Sequence, residues 1–120
     1  MAHVLVVDDD PLFREVAAEI LLQAGHTVDH AGNGLDAQRI EARPDLAVVD
    51  MLMPGRDGIE TIGDLRARWP DVKLIAVSAG RRGLSPGLLL RTAVAMGADA
   101  TLAKPVQPEA LRDLVGQLLG

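Results

Sequence analysis

Apolar runs of strand length recur along the chain at residues 3–7, 27–31, 46–49, 73–78 and 100–102, and each is followed by a stretch of helical period. A continuous run of Leu, Val, Ile and Ala bounded by turn residues reads as a strand covered on both faces, which is how parallel sheets are built. Five such strands alternating with five helices predict an α/β domain: a doubly wound, five-stranded parallel sheet with helices on both sides, because crossovers are right-handed. At 120 residues the chain is expected to be one domain over 1–120, and 48% apolar content suffices for its core. Phe13 and Trp69 are the only aromatic residues, so that core must be aliphatic and offers little for stacking on bases or sugars.

The helices are marked by their ends. Asp10 and Pro11 read as N-cap and first residue of a helix that buries Phe13, Ala17, Ile20, Leu21 and Ala24 and is closed by Gly25. A weakly patterned second helix is expected over 35–42, ended by Pro44. The third, 59–68, has Ile59, Ile62 and Leu65 as its stripe and stops before Pro70, with Arg66 and Arg68 taken as solvated. Beyond Ser78 a glycine-rich stretch, 79–87, leads to a fourth helix that starts near Pro86, carries Leu89, Ala93, Val94 and Met96, and ends at Gly97. The last helix is expected over 107–119 on Leu111, Leu114, Val115 and Leu118.

Several function classes are disfavoured. The absence of cysteine excludes disulfides and thiolate metal sites and fits a cytoplasmic location. No apolar run reaches the roughly 18 residues of a membrane span, so no membrane association is expected. A net charge of -5 argues against direct nucleic-acid binding, which draws its affinity from clustered Lys and Arg.

Chemistry gathers at the strand ends. The third run ends on Asp50 and breaks into 51–58, where Pro54, Gly55 and Gly58 stop the strand. A lone aspartate there commonly serves only its own turn. Asp8, Asp9 and Asp10, however, follow the first strand directly. Asp10 is accounted for as a cap. In a doubly wound order 2-1-3-4-5 the first and third strands are neighbours, about 4.8 Å apart, which sets Asp8 and Asp9 beside Asp50. Acids so close repel and invite a cation, and an all-oxygen set without cysteine or clustered histidine suits Mg²⁺ or Mn²⁺ rather than zinc. His3, His26 and His30 are scattered and read as surface residues. Ser78 ends the fourth strand, and the fifth leads into Lys104-Pro105. A short hydroxyl and a long ammonium from these strands can converge on one anion above Asp50, so the parts are those of a phosphoryl-transfer site.

The whole chain resembles a response-regulator receiver domain of two-component signalling. The resemblance is carried by Asp8-Asp9 after VLVV, Asp50 in DLAVVDMLMPGRDG, Ser78 in LIAVSAG, and Lys104-Pro105 in GADATLAKPV. Doubly wound folds of order 2-1-3-4-5 include chemotaxis receivers, so that strand order is taken over from the class, since spacing alone leaves it open. The resemblance implies that Asp50 accepts phosphate from the phosphohistidine of a histidine kinase or histidine phosphotransfer protein. It further implies that Asp9, Asp50 and the backbone carbonyl of Leu52 bind Mg²⁺ directly, with Asp8 helping through water. Ser78 and Lys104 would hold the phosphoryl oxygens, and the Lys104-Pro105 bond would be cis. Two departures stand out. Thr101 occupies the place of the usual switch aromatic, and the segment from Ser78 to Gly97 is a few residues longer than in common receivers. Leu52 and Gly80 flank the acceptor without a side chain able to orient water, so slow self-hydrolysis is expected.

The implied function is a phosphorylation-controlled binding module, not an enzyme beyond its own phosphorylation and dephosphorylation. Its surface of fourth helix, fifth strand and fifth helix would change affinity for a downstream protein. Because the chain ends after its last helix, a stand-alone receiver is expected, while a regulator separated from a DNA-binding half stays open. A haloacid-dehalogenase-like phosphatase is the enzyme alternative, since Asp8-Asp9-Asp10 imitates its Asp-x-Asp motif. That family needs a further acidic pair after its lysine, where this chain has Pro105-Val106-Gln107-Pro108. A degenerate receiver that only binds partners is the third reading.

Overall fold

The computed structural model describes residues 2–51, 58–79 and 86–120, and of residues 86 and 88–90 the backbone alone. Leu52, Pro54, Gly55, Gly80 and most of the glycine-rich stretch, as well as the side chain of Leu89, lie outside the described residues. The elements run β1 (His3–Val7), α1 (Pro11–Gln23), β2 (Thr27–Ala31), α2 (Gly34–Gln38), β3 (Leu46–Asp50), α3 (Gly58–Arg68), β4 (Lys73–Ser78), α4 (Pro86–Ala95), β5 (Ala100–Ala103) and α5 (Pro108–Leu119). All strand pairs are parallel, in the order β2-β1-β3-β4-β5.

Alternation along the strands divides the core in two. Val4, Val6, Leu46, Val48, Ile75 and Val77 point to one face, where Ala17 and Leu21 of α1 and Leu111 and Val115 of α5 cover them. Leu5, Val7, Ala47, Val49, Leu74 and Ala76 point to the other, against Ala37, Ile62, Leu65 and Ala93 from the remaining helices. The central strands β1, β3 and β4 are therefore covered on both sides and carry their polar residues at their ends, while the edge strands β2 and β5 hold Asp29, His30 and Thr101 within them. Asp10 caps α1 as expected, its carboxylate accepting the amide of Leu12 at 2.9 Å with Pro11 as first helical residue. Gly25 and Gly97 take positive φ of 92° and 114° just past α1 and α4, a conformation that disfavours any residue with a Cβ.

Several expectations are corrected. Helix α2 ends at Gln38, not at 42, and the Gln38 carbonyl is taken by Arg68 Nη1 at 2.8 Å. Arg68 also stacks on Trp69, 4.2 Å from the ring centroid. Nor is Arg66 merely solvated: its Nη2 donates to the Gly97 carbonyl and to Asp99 Oδ2, each at 3.0 Å. Asp99 Oδ2 also accepts the Leu74 amide at 2.8 Å, so one ion pair ties the end of α3 to the α4–β5 turn and to β4. On α1, Ala24 is the exposed C-cap residue, outside the buried stripe. On α4, Ala93 is buried, but Val94 and, just past the helix, Met96 are 55% and 49% exposed. His3 is half-buried and bound on both ring nitrogens, Nδ1 to Thr27 Oγ1 and Nε2 to Asp29 Oδ2, both at 2.7 Å. The ends of four elements also differ by one residue: α3 begins at Gly58, α5 at Pro108, β3 reaches Asp50 and β5 reaches Ala103.

Candidate functional site

Register places the acids. Val7 of β1 pairs with Val49 of β3, so Asp8, the residue after β1, and Asp50, the last residue of β3, stand side by side at the end of the sheet. Both are buried, Asp8 at 0% and Asp50 at 6% exposure, while Asp9 faces solvent. One carboxylate oxygen from each of the three lies within 4.8 Å of the others. This is the acidic pocket that the strand-end pattern predicts.

Asp8 is held at every polar handle. Its amide donates to the Ala31 carbonyl of β2 at 3.0 Å, and its Oδ1 accepts the Asp10 amide at 2.9 Å. Its Oδ2 accepts from Lys104 Nζ at 2.8 Å, and its carbonyl accepts from Arg14 Nη1 at 2.6 Å. Both of the last two bonds carry charge and belong to the stronger class of hydrogen bonds. Arg14, one turn into α1, is a site residue that the sequence pattern does not reveal. Its position within helical reach of the β1–α1 turn is the only signal that could have found it.

Ser78 is the last residue of β4 and fully buried, and its carbonyl accepts the Lys104 amide at 3.0 Å, so the turn carrying the lysine is fastened to the strand carrying the serine. The Lys104-Pro105 bond is cis, as the resemblance implies. Lys104 reaches both buried acids, but unequally: its Nζ is 2.8 Å from Asp8 Oδ2 and 3.8 Å from Asp50 Oδ2. Strand-end spacing predicts this ammonium above Asp50. In the structure it rests on Asp8, where a carboxylate without solvent gains most from a cation. Thr101 is half-buried and pairs with Ala76, two residues before Ser78 on β4. Leu52, whose carbonyl completes the ligand set implied by the resemblance, lies outside the described residues.

Among the described residues the three carboxylates outnumber the cations that touch these acidic residues, Lys104 and Arg14. The donors of this pocket are all hard oxygens, which suits Mg²⁺ or a cation like it.

Comparison with known proteins agrees with this geometry. Residues 4–116 match the response regulator receiver domain family. The chemotaxis protein CheY of Halobacterium salinarum is 31% identical over 119 residues, covering 98% of this chain and 96% of its own. A cyclic di-GMP phosphodiesterase of Thermotoga maritima is 34% identical over 109 residues, covering 91% of this chain. The chain spans only 28% of that relative and 48% of a probable C4-dicarboxylate response regulator of Bacillus subtilis. Among solved structures, the BeF3-activated receiver domain of DrrB superposes with a TM-score of 0.89 at 27% identity, covering 99% of this chain and 97% of its own. The response regulator TrrA of Thermotoga maritima, in complex with Mg²⁺ and BeF, does so at 0.82 and 33% identity, covering 99% of this chain and all of its own. Nothing in these likenesses favours the phosphatase or the degenerate alternative. Order of strands, acidic pocket and relatives agree, and the chain belongs to the response regulator receiver domains, the phosphorylation-dependent signalling modules of two-component systems.

Proposed function

We propose that Asp50 is the phosphoacceptor of this receiver and takes its phosphoryl group from the phosphohistidine of a histidine kinase or histidine phosphotransfer protein. The observation that carries the proposal is the meeting of three carboxylates within 4.8 Å, two of them buried, with one lysine ammonium at the C-terminal edge of a parallel sheet. In the transfer an Asp50 oxygen attacks phosphorus, an O–P bond forms, and the P–N bond to the donor imidazole breaks, the imidazole recovering a proton from solvent. Asp8, Asp9 and Asp50, joined by the Leu52 carbonyl, would hold Mg²⁺, whose chemistry there is to neutralise the acids and the equatorial phosphoryl oxygens. The Mg²⁺-BeF complex of TrrA supports this role. Lys104 supplies the protein's own cation to those oxygens, and Ser78 a hydroxyl.

The phosphorylated chain would then act through the surface of α4, β5 and α5 on a downstream protein. With Thr101 in place of an aromatic side chain, the response relies on Ser78 and the segment after it. Direct nucleic-acid binding is not part of the proposal, given the net charge of -5. A cytoplasmic location and a single receiver domain over 1–120 belong to it. Among the described residues no helix is long and apolar enough to cross a membrane. Incubation with acetyl phosphate and Mg²⁺ tests the core of the proposal: intact mass should rise by one phosphoryl group in the native chain and not in Asp50→Asn. A gain retained in Asp50→Asn would overturn the acceptor assignment, and no gain in the native chain would return the degenerate reading.

A further inference from the structure

Lys104 has a third neighbour besides its two carboxylates. Its Nζ lies over the ring of Phe13, 4.5 Å from the centroid. That is within the roughly 6 Å over which an aromatic face attracts a cation. Phe13 is half-buried in the first turn of α1 and packs against the cluster under α1 and α5. Core filling is the plain account of an aromatic residue at such a place. Two facts point further. The cluster under α1 and α5 is otherwise aliphatic, and Phe13 is the chain's single phenylalanine. In addition, the ring turns toward the ammonium its face, which carries the negative pole of its quadrupole.

We propose that Phe13 is a positioning residue for the phosphoryl-binding lysine, a role that rests on the function proposed above. A lysine on a four-carbon stem has many orientations, and its side chain here is 20% exposed, so solvent competes for the head. Asp8 and Asp50 attract it from the site, while the ring closes the side toward α1. Unlike a third carboxylate, the ring attracts the ammonium without binding Mg²⁺ or repelling an incoming phosphoryl group. It narrows the sweep of the ammonium to the region between Asp8 Oδ2 and Asp50 Oδ2, whose distances from Nζ differ by 1.0 Å (3.8 minus 2.8). Phe13 and Lys104 also line one groove together with Val16, Ile20, Pro105 and Val106, so the ring joins that groove to the site.

Because Phe13 is the only phenylalanine, growth on fluorinated phenylalanines labels this position alone. Rings with one, two and three fluorines keep nearly the same shape while progressively losing the charge on their face. The affinity of the Mg²⁺-loaded protein for beryllofluoride, a phosphoryl mimic, is measured across the series, with Phe13→Leu and Lys104→Ala alongside. Affinity should fall stepwise with fluorine number, by about 3- to 10-fold at the end of the series and in Phe13→Leu, as expected of a partly desolvated cation–π contact. Affinity for Mg²⁺ alone should stay level, since the contact Phe13 makes to the site is with the lysine. Flat beryllofluoride affinity across the series, with Lys104→Ala still weakened, overturns the inference and leaves the site intact. Unchanged affinity in Lys104→Ala overturns the role of the lysine itself, and with it this inference.

Discussion

Gly58 is the residue whose replacement tests how tightly the acceptor is built. A Cβ placed there would lie 2.5 Å from both the Asp50 carbonyl oxygen and Met51 Cα, and 3.1 Å from the Asp50 carbonyl carbon. All three are main-chain atoms, so no flexible side chain can swing away. Ordinary contact begins near 3.4 Å, which requires a displacement of about 0.9 Å in the strand end that carries the acceptor. Overpacking of this kind costs roughly 1–3 kcal/mol, and the rigidity of the neighbours argues for the upper half. Against it stands the gain of alanine over glycine in a helix, at most about 1 kcal/mol and less at a first helical residue. Gly58→Ala should therefore destabilise by about 2 kcal/mol, close to a 30-fold change in the folding equilibrium. Gly63 of the same helix and Gly116 of α5 are the controls: nothing lies within 4 Å of a Cβ at either, so each alanine should stabilise by about 0.5–1 kcal/mol. Urea unfolding of the three variants reads the signs directly. Gly58→Ala should also slow phosphorylation by acetyl phosphate, because the backbone that moves is that of Asp50. A Gly58→Ala protein as stable and as readily phosphorylated as the native one would refute the packing argument; normal stability with lost phosphorylation would refute only its energetic half.

Other expectations follow from the contacts. Mg²⁺ should stabilise the native chain by mass action, about 2.7 kcal/mol at a hundredfold excess over its dissociation constant. In Asp9→Ala, which removes an exposed acid, that gain should shrink sharply, and thermal unfolding at graded Mg²⁺ reads it. Arg66→Gln and Asp99→Ala should each destabilise, with a coupling of about 0.5–1 kcal/mol in a double-mutant cycle, modest because the pair is partly exposed. Additive losses would deny the pair any coupling. Arg14→Met removes the charged donor on the Asp8 carbonyl and should cost about 1.5–3 kcal/mol in chemical unfolding.

What is legible in the sequence is local or periodic. Apolar runs of strand length, Asp10 before Pro11, and glycine after the first and fourth helices each act within a few residues, and each stands where the pattern puts it. The acids beside Asp50 are legible only once a strand order is adopted, because proximity across β1 and β3 is a property of topology. What escapes is long side chains crossing the fold. Arg66 and Arg68 end an amphipathic helix, where basic residues are normally solvated, yet their partners Gly97, Asp99 and Gln38 lie about 30 residues away in sequence. Arg14 escapes because a main-chain carbonyl has no sequence signature. The exposure of Val94 and Met96 shows the same limit from the other side: apolar spacing predicts a face for α4 that the packing does not use.

The position of Lys104 joins these observations. Two buried carboxylates share one ammonium, and the shorter contact goes to Asp8, whose remaining polar atoms are bound to Ala31, Asp10 and Arg14. An acid held so firmly cannot follow the lysine, so between these two acids it is the lysine that can move when the charge on Asp50 changes. Adding a phosphoryl group to Asp50 raises the negative charge on that side and tips the competition for the ammonium toward it. The lysine amide is bonded to the Ser78 carbonyl, so the two groups that would bind the phosphoryl oxygens are joined through the backbone as well. With Asp50 as the proposed acceptor, the resting ion pair would be part of the switch: it keeps the cation within 3.8 Å of the Asp50 oxygen while binding it elsewhere, and it would make the direction of the lysine's movement a consequence of charge.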